Sequence, residues 1–405
     1  MASIHPFRAL RPTPERAADV SSVPYDVVST EEARQLAADS PLSFLRVTRS
    51  EIDLPSDTNP YDAAVYEQAV KNLASLRTAA PLVIEDEPSL YFYRLKMGDH
   101  EQTGLAGCFS VDEYEQELVK KHEKTRKDKE DDRTRHITEL RAQTGVVFLT
   151  YRALTAVDGI AKRVASTPPL YDFVAPDKVV HTIWRVTGAD CDALVAAFAT
   201  LPAVYIADGH HRAASAARAR QALAATGDAT AAGRFIAVAF PDDQVQILPY
   251  NRIVKDLGGT TPDALLADLR ARFDVRDGDP TPGQSGLVSM FLAGRWYTIA
   301  LPKPGAGVSR ADALDVEVLQ REILTPFLGV GDPRTDKRID FVGGIRGTAE
   351  LERLVTSGKA GVAFSLHPVG LDDLMTIADA GGIMPPKSTW FEPKLRDGVL
   401  THVIA

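Results

Sequence analysis

The sequence predicts an α+β fold. Helix-period and strand-period segments are intermixed but do not alternate in the regular order of a doubly wound sheet. The strand-like runs Val288–Leu292 and Trp296–Leu301 are separated only by Ala293-Gly294-Arg295, the spacing of a hairpin. A dinucleotide-binding fingerprint is missing, since Phe341-Val342-Gly343-Gly344-Ile345-Arg346-Gly347 lacks the full Gly-x-Gly-x-x-Gly pattern.

In chain order, Ser29/Thr30 before Glu31-Glu32 reads as a helix cap, and the alternation Arg46-Val47-Thr48-Arg49-Ser50-Glu51 suits a strand edge or a pocket wall. Tyr61 to Thr78 has amphipathic helical spacing, followed by strand-like runs at Pro81–Glu85, Ser89–Lys96 and Leu105–Ser110. A very polar helical stretch is expected from about Val111 to Thr144, then a strand at Val146–Tyr151 and a Pro-marked loop at Thr167–Pro169. Further strands are expected at Val179–Val186, Ala203–Ala207, Phe235–Phe240 and Val245–Leu248. Asp277–Gly286 is turn-rich, Asp312–Leu328 has helical spacing, and Ile339–Val342 and Gly361–Leu366 read as strands with a helix between them.

A chain of 405 residues accommodates two or three domains. We expect an N-terminal α+β region over 1–110, a core over 111–256 and a C-terminal α+β region over 257–405. The composition, 44% hydrophobic and 25% charged, is that of an ordinary globular protein. No window approaches the roughly 20 unbroken apolar residues of a membrane span, and Met1–Arg8 lacks the basic-then-apolar order of a secretory signal. Cys108 and Cys191 occupy unrelated apolar contexts, so a disulfide framework is not expected; a cytoplasmic protein is. The net charge of −9, with basic and acidic residues interleaved, argues against a dedicated nucleic-acid binder.

The segment richest in chemistry is Ala203-Val204-Tyr205-Ile206-Ala207-Asp208-Gly209-His210-His211-Arg212, followed by an alanine-rich run to about Ala225. An apolar strand runs into an acid, a glycine, two histidines and an arginine, and that turn opens a helix. The free N–H groups and dipole of a helix N-terminus favour an anion. Gly209 permits close backbone approach, Arg212 can grip phosphate oxygens in bidentate fashion, His210 and His211 can donate hydrogen bonds, and Asp208 can hold magnesium or orient a histidine. The Gly-Lys-Ser/Thr ending of a Walker loop is absent.

Competing chemistries find less support. Lys120–Arg133 reads most simply as a solvated helix laced with ion pairs. A zinc-protease helix fails because Arg126 stands where a second histidine is needed after His122-Glu123. There is no Gly-x-Ser-x-Gly elbow, and neither cysteine neighbours a histidine. Val23–Ser29 carries a Tyr25-Asp26 pair in a turn, and Met384–Lys394 combines stiff prolines with Lys387 and two hydroxyls, suiting a segment that closes over a ligand or a rigid surface loop.

Pro6-Phe7-Arg8, Pro24–Ser29, His122-Glu123-Lys124-Thr125 with Asp132-Arg133, Asp208–Arg212 and Met384–Lys394, taken in this order, resemble the bacterial and archaeal family of domain of unknown function 1015. The Asp208–Arg212 turn is also similar to the signature of the ParB/sulfiredoxin superfamily, in which the turn opening a helix cradles nucleotide phosphates. This resemblance implies a ParB/sulfiredoxin-like mixed-sheet core with elaborated N- and C-terminal regions. Sulfiredoxin places its catalytic cysteine where this chain has His210, so that chemistry is not expected. ParB carries arginine-rich residues after the glycine and a downstream helix-turn-helix, neither of which is evident here. The free serine kinases carry an Asp-Gly-x-His-Arg turn, which Asp208, Gly209, His211 and Arg212 match, together with an acidic base.

The resemblance thus implies a nucleotide-dependent kinase acting on the hydroxyl of free serine or a similar small metabolite, with ATP, ADP or another nucleotide and Mg2+. The alternative is a ParB-related nucleotide-binding regulator without turnover. Arg212, His211 and the backbone of Gly209 and His210 are assigned to the phosphates, with Lys124, Arg133 and Lys387 as further contacts. Asp208 is the metal ligand or histidine orienter, Glu123 the preferred base, and Tyr25, Asp26 and Glu51 line the substrate site, the last two being rival bases. The expected partners are a nucleotide and a small substrate, with no membrane; a homodimer is left open.

Overall fold

The computed structural model describes residues 1–224 and 232–404; Ala225, at the end of the alanine-rich run, lies outside them. Helices and mixed sheets make it an α+β protein. Two units divide the chain, Met1–Val245 with Pro393–Ala405, and Gln246–Glu392. This differs from three consecutive stretches because His100–Ser110 pairs both with Leu90–Met97 before it and with Arg234–Pro241 far after it. One sheet thereby spans the boundary expected at 110.

In the first unit a nine-stranded sheet runs Val119–Lys120, Val204–Asp208, Val147–Tyr151, Arg234–Pro241, His100–Ser110, Leu90–Met97, Val180–Val186, Tyr171–Val174, with Ile4–His5 also on His100–Ser110. Val204–Asp208 pairs parallel to Val119–Lys120 and Arg234–Pro241 parallel to Val147–Tyr151; the other pairs are antiparallel. Helices Thr155–Val164 and Gly188–Phe198 each bury a stripe at i, i+3 and i+7, namely Val157, Ile160 and Val164, and Cys191, Leu194 and Phe198. Helix His210–Ala224 offers Ala213, Ala216 and Ala217 to the same core, and these small side chains let it lie close to the strands. A second core joins Leu10, Phe44, Val47, Leu73, Leu76 and Leu140. There the N-terminal strand Ala9–Arg11 pairs with the C-terminal strand Thr401–Val403.

The second unit holds a six-stranded antiparallel sheet in the order Val275–Asp277, Arg295–Ala300, Leu287–Leu292, Val362–Leu366, Tyr250–Val254, Ile339–Gly343. The expected hairpin is its Leu287–Leu292/Arg295–Ala300 pair. Helix Gly347–Thr356 buries Leu351 against Ile253, Phe291 and Val342.

Two expectations from periodicity are corrected. Arg46–Glu51 is not a strand edge but a short helix, Leu45–Thr48, running into a 3-10 turn, Ser50–Asp53. The stretch 111–144 is not one helix: Val111–Glu115 ends at Glu117, which has φ 59°, strand Val119–Lys120 follows, and the helix resumes only at Lys127–Leu140. Pairing of Val119 and Lys120 with Val204 and Tyr205 overrides the local helical preference. Residues 121–126 are thus a loop between strand and helix. Among the described residues no helix is long and apolar enough to cross a membrane.

Candidate functional site

Val204–Ala207 are buried, and the strand ends on a partly exposed Asp208. Its register against Val147–Tyr151 shifts between Ile206 and Asp208, a bulge that re-aims the last residue. Gly209 then takes φ +96°, which an L side chain rarely adopts. A Cβ there would also stand 3.2 Å from Arg212 Cδ and 3.4 Å from Val147 Cα. The helix opens at His210, so the N–H groups of His210 and His211 have no intrahelical acceptor, whereas those of Arg212 and Ala213 donate to Gly209 O.

Arg212 does not project into solvent. Its guanidinium is buried beneath the turn, where Nη1 donates to Val146 O (2.6 Å) and Nη2 to Asp26 Oδ1 (2.5 Å), with the Tyr25 ring centroid 5.6 Å away. Burial works against its charge, but Asp26, Asp208 and Asp397 outweigh it and hold the guanidinium firmly protonated. Asp397 is buried in the same place. Burial, reinforced by Asp26, pushes its pKa up to about 7, while Arg212 and the backbone of Val146 and Tyr25 restrain the rise. Arg212, expected on the phosphates, therefore ties the helix to the Tyr25-Asp26 turn and the neighbouring strand. Its Nε, Asp397 Oδ2 and His122 Nδ1 are buried without hydrogen-bond partners.

The two histidines sew the 121–126 loop onto the helix start. The backbone N–H of His122 donates to His210 Nε2 (3.4 Å), and that of Arg126 donates to His211 Nε2 (3.0 Å). The His122 and His210 rings meet edge to face with centroids 4.4 Å apart. Burial lowers the His122 pKa to about 4, and burial together with His122 depresses that of His210 well below the usual imidazole range, so both are neutral at pH 7. Since His210 Nε2 accepts, its proton is assigned to Nδ1. That atom lies 3.9 Å from Glu123 Oε2, whose side chain is 46% exposed. The loop thus brings Glu123 to the turn, with exposed Lys124 beside it in sequence.

On its other side the turn meets Lys394, whose Nζ donates to Asp208 Oδ2 at 3.0 Å. Burial favours a protonated Asp208, but Lys394 and Arg212 overcome it and drive the carboxyl well below its ordinary range. Among the described residues no group of three or more His, Cys, Asp or Glu side chains is placed to hold a metal. Asp208, the expected magnesium ligand, has one oxygen committed to Lys394. The side chains here therefore do not form a cation cage by themselves.

Of the other expected residues, Tyr25 and Asp26 belong to the turn against Arg212. Arg133 lies on helix Lys127–Leu140 with its guanidinium over the Tyr25 ring (4.3 Å), paired with Asp132 (2.8 Å) and donating to Thr48 O. Tyr25, Arg133, His136, Gln143, Gly145 and Arg212 contribute to the lining of a small cleft. Glu51 is buried, pairs with Arg49 at 3.3 Å and accepts from Thr30 Oγ1. Lys387 belongs to the second unit, where its ammonium lies 5.5 Å from the Tyr250 ring centroid. Lys394 and Asp397 escaped sequence reasoning. Lys394 ends the Met384–Lys394 segment, a usable signal, whereas Leu395-Arg396-Asp397-Gly398 reads only as a turn.

A family model described as "Protein of unknown function (DUF1015)" matches residues 4–319. No curated protein matches the chain. Among solved structures, it is similar to a free serine kinase in complex with AMP, at 13% identity and TM-score 0.36, over 73% of this chain and 91% of that one. It is similar to SbnI with C-terminal truncation from Staphylococcus aureus at 12% identity and TM-score 0.39, over 72% and 85% of the two chains. A conserved hypothetical protein from Pyrococcus furiosus aligns at 14% identity and TM-score 0.35, over 73% and 94%.

Proposed function

The chain belongs to the DUF1015 family, and from that premise we propose that it is a nucleotide-dependent phosphotransferase acting on the hydroxyl of free serine or a comparable small metabolite. The observation that carries this reading is the Glu123 carboxylate standing 3.9 Å from the buried, neutral His210 at the open end of a helix. The likeness of Asp208, Gly209, His211 and Arg212 to the Asp-Gly-x-His-Arg turn of the free serine kinases supports it.

Phosphoryl transfer needs positioning, charge neutralisation and an acceptor for one proton. In this reading the phosphates of ATP, ADP or another nucleotide lie over the helix start, met by the N–H groups of the Gly209–His210 turn and by Lys124. Magnesium arrives with the nucleotide, because that ion commonly keeps its waters and is held by one or two carboxylates plus phosphates; Asp208 is the carboxylate offered. Glu123 takes the hydroxyl proton as the substrate oxygen bonds to the terminal phosphorus and the bridging P–O bond breaks. His210 stays neutral, turns its Nδ1–H toward Glu123 and does not compete for that proton. Arg212, Tyr25 and Asp26 keep the turn in shape from below.

The decisive experiment follows serine with ATP or ADP, with and without magnesium, by phosphorus NMR. Phosphoserine accumulation is expected. Nucleotide binding by calorimetry without turnover of serine or any common small hydroxyl compound would favour the regulator instead. Replacing Glu123 by Gln is expected to lower turnover by about 10²–10⁴-fold, the usual contribution of a general base, with nucleotide affinity near wild type. Undiminished turnover would place the base elsewhere.

A further inference from the structure

We infer that Lys394, delivered by the C-terminal tail, is a phosphate-contacting cation of the nucleotide site at the Asp208–His210 turn. The inference rests on the proposed function and extends it to a residue 186 positions from Asp208 in sequence.

Three observations carry it. Lys394 is aimed at the turn, with its side chain only 14% exposed and its Nζ 3.0 Å from Asp208 Oδ2. It is held there by a tail fixed at several points. Ser22 and Asp397 exchange both backbone hydrogen bonds (3.1 and 3.0 Å), Arg396 is bound to Asp177 and His181, and Thr401–Val403 pairs with Ala9–Arg11. Gly398 is at φ +88°, where a Cβ would come within 2.6 Å of Phe44 Cγ. Finally, Arg212 Nε, beside Gly209 of the same turn, is a buried N–H donor without a partner.

A cation near a helix N-terminus is disfavoured by the helix dipole and by the neighbouring guanidinium of Arg212. The carboxylate of Asp208 offsets this by pairing with the ammonium. An arriving phosphate presents the same ammonium with a second anion. Lysine suits such a site because its ammonium is a point charge on a flexible stem, able to stay near Asp208 while turning to a phosphate oxygen. As the acceptor hydroxyl attacks the terminal phosphorus and the bridging P–O bond breaks, the ammonium neutralises charge on the transferred group, while the hydroxyl proton goes to Glu123.

The test is calorimetric titration of full-length wild type, Lys394→Met and the double variant Asp208→Asn/Lys394→Met with ATP and with AMP, each with magnesium. Lys394→Met is expected to weaken ATP at least tenfold and AMP less than twofold, because the contact is to the terminal phosphates. The double variant leaves neither partner of the pair unpaired and is read against Asp208→Asn alone, because Asp208 is itself the carboxylate offered to the metal; relative to that reference it is expected to show the same selective loss of ATP. Should Lys394→Met fail to fold, the comparison of the double variant with Asp208→Asn, titrated in the same way, decides. A loss of ATP affinity smaller than tenfold, relative to wild type for Lys394→Met or to Asp208→Asn for the double variant, or an equal loss of AMP affinity, would make the lysine a structural counterion of Asp208 and overturn the inference while leaving the kinase reading in place. Wild-type protein that binds neither ATP, ADP nor CTP would overturn both.

Discussion

Arg212 shows how burial decides what a charged residue does. By its place after a glycine at a helix start it reads as a phosphate grip, yet both terminal nitrogens are committed to Val146 O and Asp26. A buried guanidinium persists only where its hydrogen bonds are made and its charge is balanced, and Asp26 and Asp397 supply the balance. Replacing Arg212 by Ala is expected to destabilise the protein by about 3–5 kcal/mol, because Asp26 loses its partner and Asp397 loses the charge that moderates its burial. Urea unfolding measures this. A variant that kept wild-type stability and lost only nucleotide affinity would return Arg212 to the phosphates. The residue types of the turn were legible in the sequence. Which of them face inward was not, since that depends on Tyr25, Val146 and Asp397, none of them adjacent.

At the scale of elements, the strand–turn–helix at 204–224 was readable because a buried apolar run, a glycine and an alanine-rich helix are contiguous. The 121–126 loop was not. Its flanks are polar and helix-favouring, and the interruption comes from strand pairing with residues 204–205 and from the two imidazoles that accept its backbone N–H groups. Helices Thr155–Val164, Gly188–Phe198 and Pro262–Arg272 also went unassigned, each being short, with apolar stripes of only two or three buried residues. The loop clamp is testable. Replacing His211 by Ala removes the acceptor of the Arg126 N–H and is expected to cost only about 0.5–1.5 kcal/mol of stability, the net value of one hydrogen bond. Amide exchange at residues 122–126 should rise well beyond that of the sheet, and, with Glu123 as the proposed base no longer held, the proposed phosphotransfer should slow. Unchanged exchange in the loop would show that other contacts secure it.

At the scale of the whole molecule, four buried imidazoles are held neutral. Burial lowers the pKa of His122 to about 4 and of His136 to about 3, and takes His181 and His210 well below the ordinary value. All four lie in the first unit, on its sheet, its helices and the loop between them. In the unfolded chain each binds a proton below about pH 6.5 while the folded chain refuses it, so their contribution to stability is present above 6.5 and lost as pH falls. Asp397 has the opposite sign. With its folded pKa near 7 against an ordinary 3.8, it holds a proton that the unfolded chain has released, so folding gains from it at low pH and loses that gain as pH rises through 7. Near pH 5.5 the four imidazoles outweigh Asp397, and stability is expected to fall by about 3–4 kcal/mol per unit of acidification. Asp397→Asn removes the opposing proton. Its acid loss is therefore steeper, and relative to wild type it gains about 2–3 kcal/mol between pH 5 and pH 8. Urea midpoints of both proteins at pH 5, 6, 7 and 8 separate the two effects. A wild-type profile flat between pH 5 and 7 would mean that the imidazoles are protonated in the fold, and parallel profiles for the two proteins would mean that Asp397 ionises normally beneath Arg212.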